Sequence, residues 1–393
     1  MIWQNVTSTK EFVLLGLSSD PQTQVAIFVI FLLFYFITLT GNCLIIFVTI
    51  TRRNLQTPMY FFLTNLSFLD IFYSSTNIPR ALKDLMSMTK IITFGECALQ
   101  MYTALSLAIT ECFLLAVMAY DRYIAVCYPL HYTTIVNGSV CIKAAVFTWV
   151  CGFLLSTIQT ATTLNVPLCG HYLINHFFCE GPGFLSLGCA DTFVNEVVTF
   201  ILCVLILMIP FSFIFLSYTR IILIIVKMTS SVGRKKTFST CASHITGVTL
   251  YFGTCIAMYM KPRSLFSPDR DKIIAIFYVV ITPMLNPLIY TLRNKEIKSA
   301  LKNQQAPPLN NSSQSEPQDR RGAQQSRQLH QLWEKMQPPH PTPPEPLHLS
   351  HQKTPTAPPS VSDDSPDEPE ADKKPSRYPF SPSVRHDQLP EPS

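Results

Sequence analysis

The sequence predicts an all-α membrane protein: a bundle of seven transmembrane helices followed by a long disordered C-terminal tail. Three observations predict it. Hydrophobic residues make up 48% of the 393 residues and charged residues only 14%, where a soluble domain carries about a quarter. The apolar residues gather into seven runs of membrane length, a spanning helix needing roughly 20 mostly apolar residues. Of the 30 prolines, 19 lie at or after Pro307, whereas all 12 cysteines precede residue 256. The chain divides accordingly into an N-terminal segment, 1–24, a helical body, 25–302, and a tail, 303–393.

The runs are Val25–Ile50, Pro58–Ile78, Cys97–Met118, Val140–Leu164, Val197–Val226, Phe238–Met260 and Ile273–Leu292. The first, sixth and seventh contain no Asp, Glu, Lys or Arg; the second holds only Asp70 and the third only Glu111. In lipid every backbone amide must be paired within its own segment, so each run is a helix. No weak ten-residue alternation points to a barrel.

Charge orients the bundle. The first connection carries Arg52 and Arg53, the fifth Lys227, Arg234, Lys235 and Lys236, and the segment after the last run Arg293, Lys295, Lys298 and Lys302. The long fourth connection, 165–196, has no Lys or Arg. Positive loops stay in the cytoplasm, which puts the N-terminus outside and the tail inside. The last external loop departs from this trend, with four basic residues partly offset by Asp269 and Asp271. No cleavable signal precedes Val25, since that segment lacks an apolar core; the first span is the insertion signal.

Four cysteines fall on the outer side: Cys97 at the start of helix three, and Cys169, Cys179 and Cys189 in the long loop. They face an oxidising space, where four cysteines allow three pairings and spacing does not choose among them.

The stretch MAYDRYIAVCYPLHY puts Asp121 and Arg122 at the inner end of helix three. A lone charge at that boundary simply snorkels to water. Here it has company: Asn286-Pro287-Leu288-Ile289-Tyr290 near the end of helix seven, Asn42 in helix one and Asp70 in helix two. Together these resemble the signatures of rhodopsin-like G-protein-coupled receptors. FVLLGLS (Phe12–Ser18), PMYFFLTNLSFLD (Pro58–Asp70), the Asp-Arg-Tyr stretch, KTFSTCASH (Lys236–His244) and PMLNPLIYTLRN (Pro283–Asn294) narrow the resemblance to vertebrate odorant receptors. It covers residues from about 5 to 303.

The resemblance implies the following. The chain is a plasma-membrane receptor, not an enzyme, whose partners are a small volatile odorant, a heterotrimeric stimulatory G protein and membrane lipid, with no nucleic acid. Asp121, Arg122, Tyr123, Tyr218, Asn286, Pro287 and Tyr290 carry the switch and the G-protein coupling. Cys97 pairs with Cys179, and Cys169 with Cys189. Asn42, Asp70 and Glu111 form a polar core, where the two carboxyls hold a sodium ion or else share a proton; no other cofactor is expected. His244, read by its own chemistry and not from the resemblance, is expected to make an interhelical hydrogen bond rather than to serve as a pH sensor or metal ligand. A short amphipathic helix, 295–302, follows the last span. Two features depart from the family. Its usual Phe-Tyr-Gly in helix six is here Tyr251-Phe252-Gly253, which puts Phe252 at the tyrosine's position and turns Tyr251 roughly 100° away. The tail also runs far beyond the usual end. Its Pro, Gln and Ser content is that of disorder, and its PxxP pattern, Pro341–Pro344, is of a kind common in such sequence.

In the resembling receptors odorants sit among the outer halves of helices three, five and six. Counting along helix three from Arg122 puts Ala104, Leu105, Ala108 and Ile109 at that depth on one face. Helix five offers Leu202, Cys203 and Ile206; helix six offers Phe252, Cys255, Ile256 and Tyr259. None is charged, which suits a neutral, mostly hydrocarbon ligand with Cys203 and Tyr259 as its polar handles. Other classes fit poorly. A transporter would show repeated halves and broken helices. An enzyme would show a motif such as His-Glu-x-x-His or Gly-x-Ser-x-Gly, and neither occurs.

Of the Asn-x-Ser/Thr sequons, Asn5-Val6-Thr7 alone lies in a segment assigned to the outside. Sugar is expected on Asn5 only, so Asn5→Gln removes the mobility shift that glycosidase produces in the native protein. A shift that survives the substitution would refute the orientation.

Overall fold

The computed structural model describes residues 11–168, 172–188, 193–260 and 267–293. Its elements are β1 (Glu11–Leu14), α1 (Pro21–Thr51), α2 (Pro58–Leu85), β2 (Ile91–Thr93), α3 (Phe94–Cys127), α4 (Tyr132–Ile135), α5 (Gly138–Leu164), β3 (Leu173–Ile174), α6 (Gly181–Leu185), α7 (Phe193–Lys227), α8 (Ser231–Tyr259), α9 (Pro268–Ile276) and α10 (Thr282–Arg293). A π-helical turn, Phe277–Ile281, joins α9 to α10, so the two read as one span. Among the described residues six spans are long and apolar enough to cross a membrane: α1, α3, α5, α7, α8 and the α9–α10 run. The seventh is α2, whose 28 residues extend about 42 Å. It is less apolar because Asn65, Asp70, Asn77 and several Ser and Thr lie along it, with Arg80, Lys83 and Asp84 in its last turns. The seven-helix bundle is therefore present.

Helix ends are set by caps rather than by the limits of the apolar runs. Asp20 accepts the amide of Thr23 at 2.8 Å, and Pro21 opens α1, so the helix starts a turn before Val25. Thr93 and Glu96 form a capping box at the start of α3, and Asn137 caps α5 by accepting from the Val140 amide at 3.1 Å. Each cap satisfies an amide at or just before the start of its apolar stretch, using a polar side chain outside it.

The apolar–polar pattern of the spans suits lipid. α1 exposes Val29, Leu33, Phe36 and Phe47 while burying Thr38, Asn42 and Thr49. Lipid tails offer no hydrophobic drive between helices, so the contacts that join them are close packing and hydrogen bonds. Asn42 Nδ2 donates to the carbonyl of Pro283 at 3.2 Å. That carbonyl is free because Pro287, four residues on, has no N–H to donate to it. At the same crossing, a Cβ on Gly41 would stand 3.0 Å from the ring of Pro287. Trp149 Nε1 donates to Asn65 Oδ1 at 3.3 Å and ties α5 to α2.

The Phe12–Ser18 stretch builds something of which the apolar runs give no hint. β1 pairs antiparallel with β2 (Phe12 opposite Ile92) and parallel with β3 (Leu14 opposite Ile174). Phe12 and Leu14 are fully buried with Ile92, Met101, Ile174 and Phe184 around the Cys97–Cys179 disulfide. This small second core closes one end of the bundle, the sheet end. Arg80 braces it, holding Asp84 through Nε at 3.0 Å and the Ile91 carbonyl through Nη2. Cys169, Cys189, Asn5, the segment 295–302 expected to be helical and the tail lie outside the described residues.

The tightest helix crossing is α3 on α5. A Cβ on Gly152 would overlap Thr110 Oγ1 and stand 2.8 Å from the Ser106 carbonyl. Ser106 and Ser156 hydrogen-bond across the same contact. Gly152→Val therefore has to push the helices apart, at a cost of about 1–3 kcal/mol. Lower surface expression and a lower melting temperature of the detergent-solubilised protein are expected. Gly95→Ala, where a Cβ meets nothing within 4 Å, is the control; equal behaviour of the two would refute the packing assignment.

Candidate functional site

A cavity opens between α3, α5, α7 and α8, beneath the segment that follows the disulfide. It holds about 780 Å³ of empty space, the open solvent at its mouth included. The Cys97–Cys179 bond anchors its cover, and Gln100 Oε1 accepts the Cys179 amide at 3.0 Å. Residues 179–182 are thereby held over the opening.

Eight of the residues expected at the cavity line it: Ala104, Leu105, Ala108, Ile109, Cys203, Ile206, Cys255 and Tyr259. Leu202, Phe252 and Ile256 do not, and the expectation is corrected there. Phe252 is fully buried against Phe211 of α7, ring centres 5.7 Å apart. Its neighbour Tyr251 lines the cavity instead, donating to the Ala108 carbonyl at 2.6 Å and lying 3.6 Å from Cys112 Sγ. The reversed order in this chain thus leaves a tyrosine hydroxyl beside the cavity. Helical phase measured along one sequence cannot say which side of α8 faces α3; only the packed bundle does.

Sequence reasoning also missed polar lining. Gln159 and Thr163 of α5, Thr199 of α7 and Glu180 of the cover all face the cavity. Glu180 is 5% exposed and accepts from Tyr278 Oη at 3.2 Å, so the lining is not free of charged residue types. A signal for Gln159 was present, since an amide within a membrane span is costly unless it has a task.

Deeper in the bundle lies the polar core. Asn286 Nδ2 donates to both carboxylate oxygens of Asp70 at 3.1 Å. Glu111 of α3 faces the same amide. Asn42 is held by the carbonyls of Thr38 and Pro283. Four spans, α1, α2, α3 and α10, therefore meet through buried polar side chains. Among the described residues no group of three or more His, Cys, Asp or Glu is placed to hold a metal.

The far end of the bundle carries Asp121 and Arg122. Asp121 is 2% exposed and accepts from Tyr132 Oη of α4 at 2.6 Å. Tyr123 packs edge-on against Tyr128, ring centres 5.9 Å apart. Tyr218 Oη and His244 Nδ1 are 2.8 Å apart and their rings stack, which joins α7 to α8. Arg122 lies close enough to Tyr218, His244 and Tyr290 for its charge to act on all three. A Cβ on Gly247 would stand 3.2 Å from Tyr290 Oη, so α8 and α10 also approach closely here.

Comparison with known proteins agrees with this geometry. A family model described as olfactory receptor matches residues 31–306. The chain is 47% identical over 302 residues to Olfactory receptor 10A7 of Homo sapiens, covering 77% of this chain and 96% of that one. It is 48% identical to Putative olfactory receptor 2B3 of Homo sapiens, with the same coverage. With Olfactory receptor 5AR1 of Mus musculus it shares 46% over 299 residues, 76% of this chain and 96% of the relative.

His176, in the cover, offers a direct check on this architecture. It is 2% exposed and packs between Phe177 and Phe178. Burial, with the positive field of Lys272 second, holds its pKa down to about 3. Its Nε2 lies 3.4 Å from Glu180 Oε1, and at neutral pH that contact is not an ion pair. Above pH 6.5 neither folded nor unfolded chain protonates it. Below that the unfolded chain takes up a proton that the folded one refuses, so stability falls as pH falls. The loss amounts to about 2 kcal/mol at pH 5. Melting temperatures measured from about pH 7.5 to 5 should drop in the native protein and drop less in His176→Phe; parallel curves would refute the assignment.

Proposed function

The chain belongs to the olfactory receptor family, and on that premise we propose that it binds a small neutral volatile molecule in the cavity and activates a stimulatory G protein, raising cAMP. The observation that carries the ligand class is the lining: Ala104, Leu105, Ala108, Ile109, Ile206 and Leu207 are apolar. Burial there rewards hydrocarbon at roughly 25 cal/mol per Å². The polar lining is a handful of side chains, Gln159, Thr163, Glu180, Thr199, Tyr251 and Tyr259 among them, so one or two oxygen or sulfur atoms on the ligand suffice to orient it.

The receptor sits in the plasma membrane with its sheet end and N-terminus outside and its tail inside. Support for this orientation comes from Arg52, Arg53, Lys227, Arg234 and Lys235, which fall at or beyond the Arg122 ends of their helices. The apolar residues that the helices turn outward are its contact with lipid.

Activation is a population shift: a ligand that fits the active cavity better moves the equilibrium by its differential affinity. A shift from 1:99 to 99:1 takes roughly 5.5 kcal/mol. Tyr251 links the cavity to the switch, because its hydroxyl bonds α8 to the α3 carbonyl of Ala108. A ligand that wedges against Ala108 strains that bond and turns α8. At the inner end the turn parts His244 from Tyr218, and Arg122 is released to meet the G protein with Tyr290 and the basic segment 234–236.

The polar core biases the same equilibrium. The carboxylate oxygens of Asp70 and Glu111 suit a hard cation. A sodium ion bound there would offset one of the pair's two negative charges and hold α2, α3 and α10 together in the resting state.

Two substitutions test the proposal in cells carrying a cAMP reporter. Arg122→Ala abolishes the agonist response with surface expression retained. Ala108→Phe fills the cavity and removes the response, again with expression retained. Full signalling by Arg122→Ala would overturn the coupling role, and a normal response from Ala108→Phe would overturn the cavity's place.

A further inference from the structure

One part of the cavity is polar in a way that its apolar lining does not explain. Gln159, near the sheet end of α5, is 7% exposed. Its Nε2 donates to Cys203 Sγ at 3.5 Å, while its Oε1 is buried and has no hydrogen-bond partner. Thr199 Oγ1 is also buried and has none. Both residues line the cavity. Thr199 and Cys203 are four residues apart in α7 and so lie one above the other on one helical face, the face that the Gln159 amide already touches. The neighbouring polar group is occupied: Thr163 Oγ1 donates to the Gln159 backbone carbonyl at 2.9 Å.

A buried polar atom without a partner is costly, and native structures keep few of them. Two such atoms of complementary kind facing one cavity call for a ligand. Resting on the receptor reading, we infer that Gln159 and Thr199 are the cavity's polar subsite and that the ligand it selects is an apolar alcohol. The chemistry follows from the two groups. The Gln159 carbonyl oxygen only accepts, whereas the Thr199 hydroxyl donates and accepts. A ligand hydroxyl donates to Gln159 Oε1 and accepts from Thr199, satisfying both. A ketone, aldehyde or ether can accept from Thr199 but leaves Gln159 unpaired, and a hydrocarbon leaves both unpaired. An ammonium donates to Gln159 but brings a charge that must lose its hydration. The ligand's hydrocarbon part then lies toward Leu105, Ala108, Ile109 and Ile206.

The test uses the full-length receptor in cells, with a cAMP reporter and surface staining, and a panel of apolar alcohols, each with its methyl ether, its parent hydrocarbon and the matching primary amine. Alcohols are expected to be the best agonists, each ether requiring a roughly tenfold higher concentration for half-maximal response, as befits one lost hydrogen bond. Gln159→Leu should bring the alcohol down to the level of its ether while leaving the ether unchanged, whereas Thr199→Val should weaken alcohol and ether together and spare the hydrocarbon, because both accept from the Thr199 hydroxyl. Thr199→Ser, which keeps the hydroxyl, should restore the potency of both. If Gln159→Leu does not reach the surface, the two Thr199 variants decide the matter. Ethers, hydrocarbons or amines that match their alcohols in the native receptor would overturn the subsite and leave the receptor reading standing. So would a Gln159→Leu receptor that weakens alcohol and ether alike, or a Thr199→Val receptor that weakens neither. A native receptor at the surface and silent to the whole panel would overturn the receptor reading and the subsite with it.

Discussion

A lipid bilayer offers no hydrogen bond to an unpaired polar group, and most of this structure follows from that constraint. The backbone answers it by forming helices. Side chains answer it by pairing across them. Pro287 interrupts its own helix and leaves the Pro283 carbonyl unpaired, and Asn42 of α1 supplies the missing donor. The same interruption sits beside Asn286, whose amide chelates Asp70 of α2. A local helix defect is thus what binds three spans together. Small residues allow the approach: Gly41 at Pro287 and Gly152 at Thr110 mark where backbones come nearest.

Two kinds of joint emerge from this. At the sheet end the joints are covalent or sheet-like. The disulfide, β1 between β2 and β3, and Arg80 on the Ile91 carbonyl hold the cover in place. Toward the Arg122 end they are single hydrogen bonds between side chains, Tyr132 to Asp121 and Tyr218 to His244. Such bonds contribute about 0.5–1.5 kcal/mol each, which is small enough for a ligand's differential affinity to overcome. A rigid cover over a cavity and a weakly latched far end are what a ligand-driven two-state element requires.

Apolar lining is abundant in the cavity and says little about selectivity, since any hydrocarbon gains from burial. Discrimination comes from the polar groups, because a site built to hydrogen-bond a ligand rejects one that leaves its groups unpaired. Gln159, Thr199 and Tyr251 matter for that reason. None of them carries a charge, the feature that makes a residue conspicuous within a span.

Much of the protein is legible in the chain alone. Seven apolar runs require seven helices because lipid leaves the backbone no alternative, and Asp70, Glu111 and Arg122 stand out because charge in those places is rare. The Cys97–Cys179 pairing and the depth of Ala104, Ala108 and Ile109 came from resemblance and from counting along a single helix, where spacing is regular. What depended on the relation between helices was not legible. Whether Tyr251 or Phe252 faces the cavity depends on how α8 is rotated against α3, and a residue's phase along its own helix leaves that rotation open. The pairing of Phe12 with Ile92, and of Leu14 with Ile174, joins strands some 80 to 160 positions apart, and a four-residue strand carries no local mark of its partners. Gln159 and Thr199 face one cavity only because α5 and α7 meet. Local chemistry determined which segments cross the membrane and which residues are costly there; tertiary packing decided which of those residues meet.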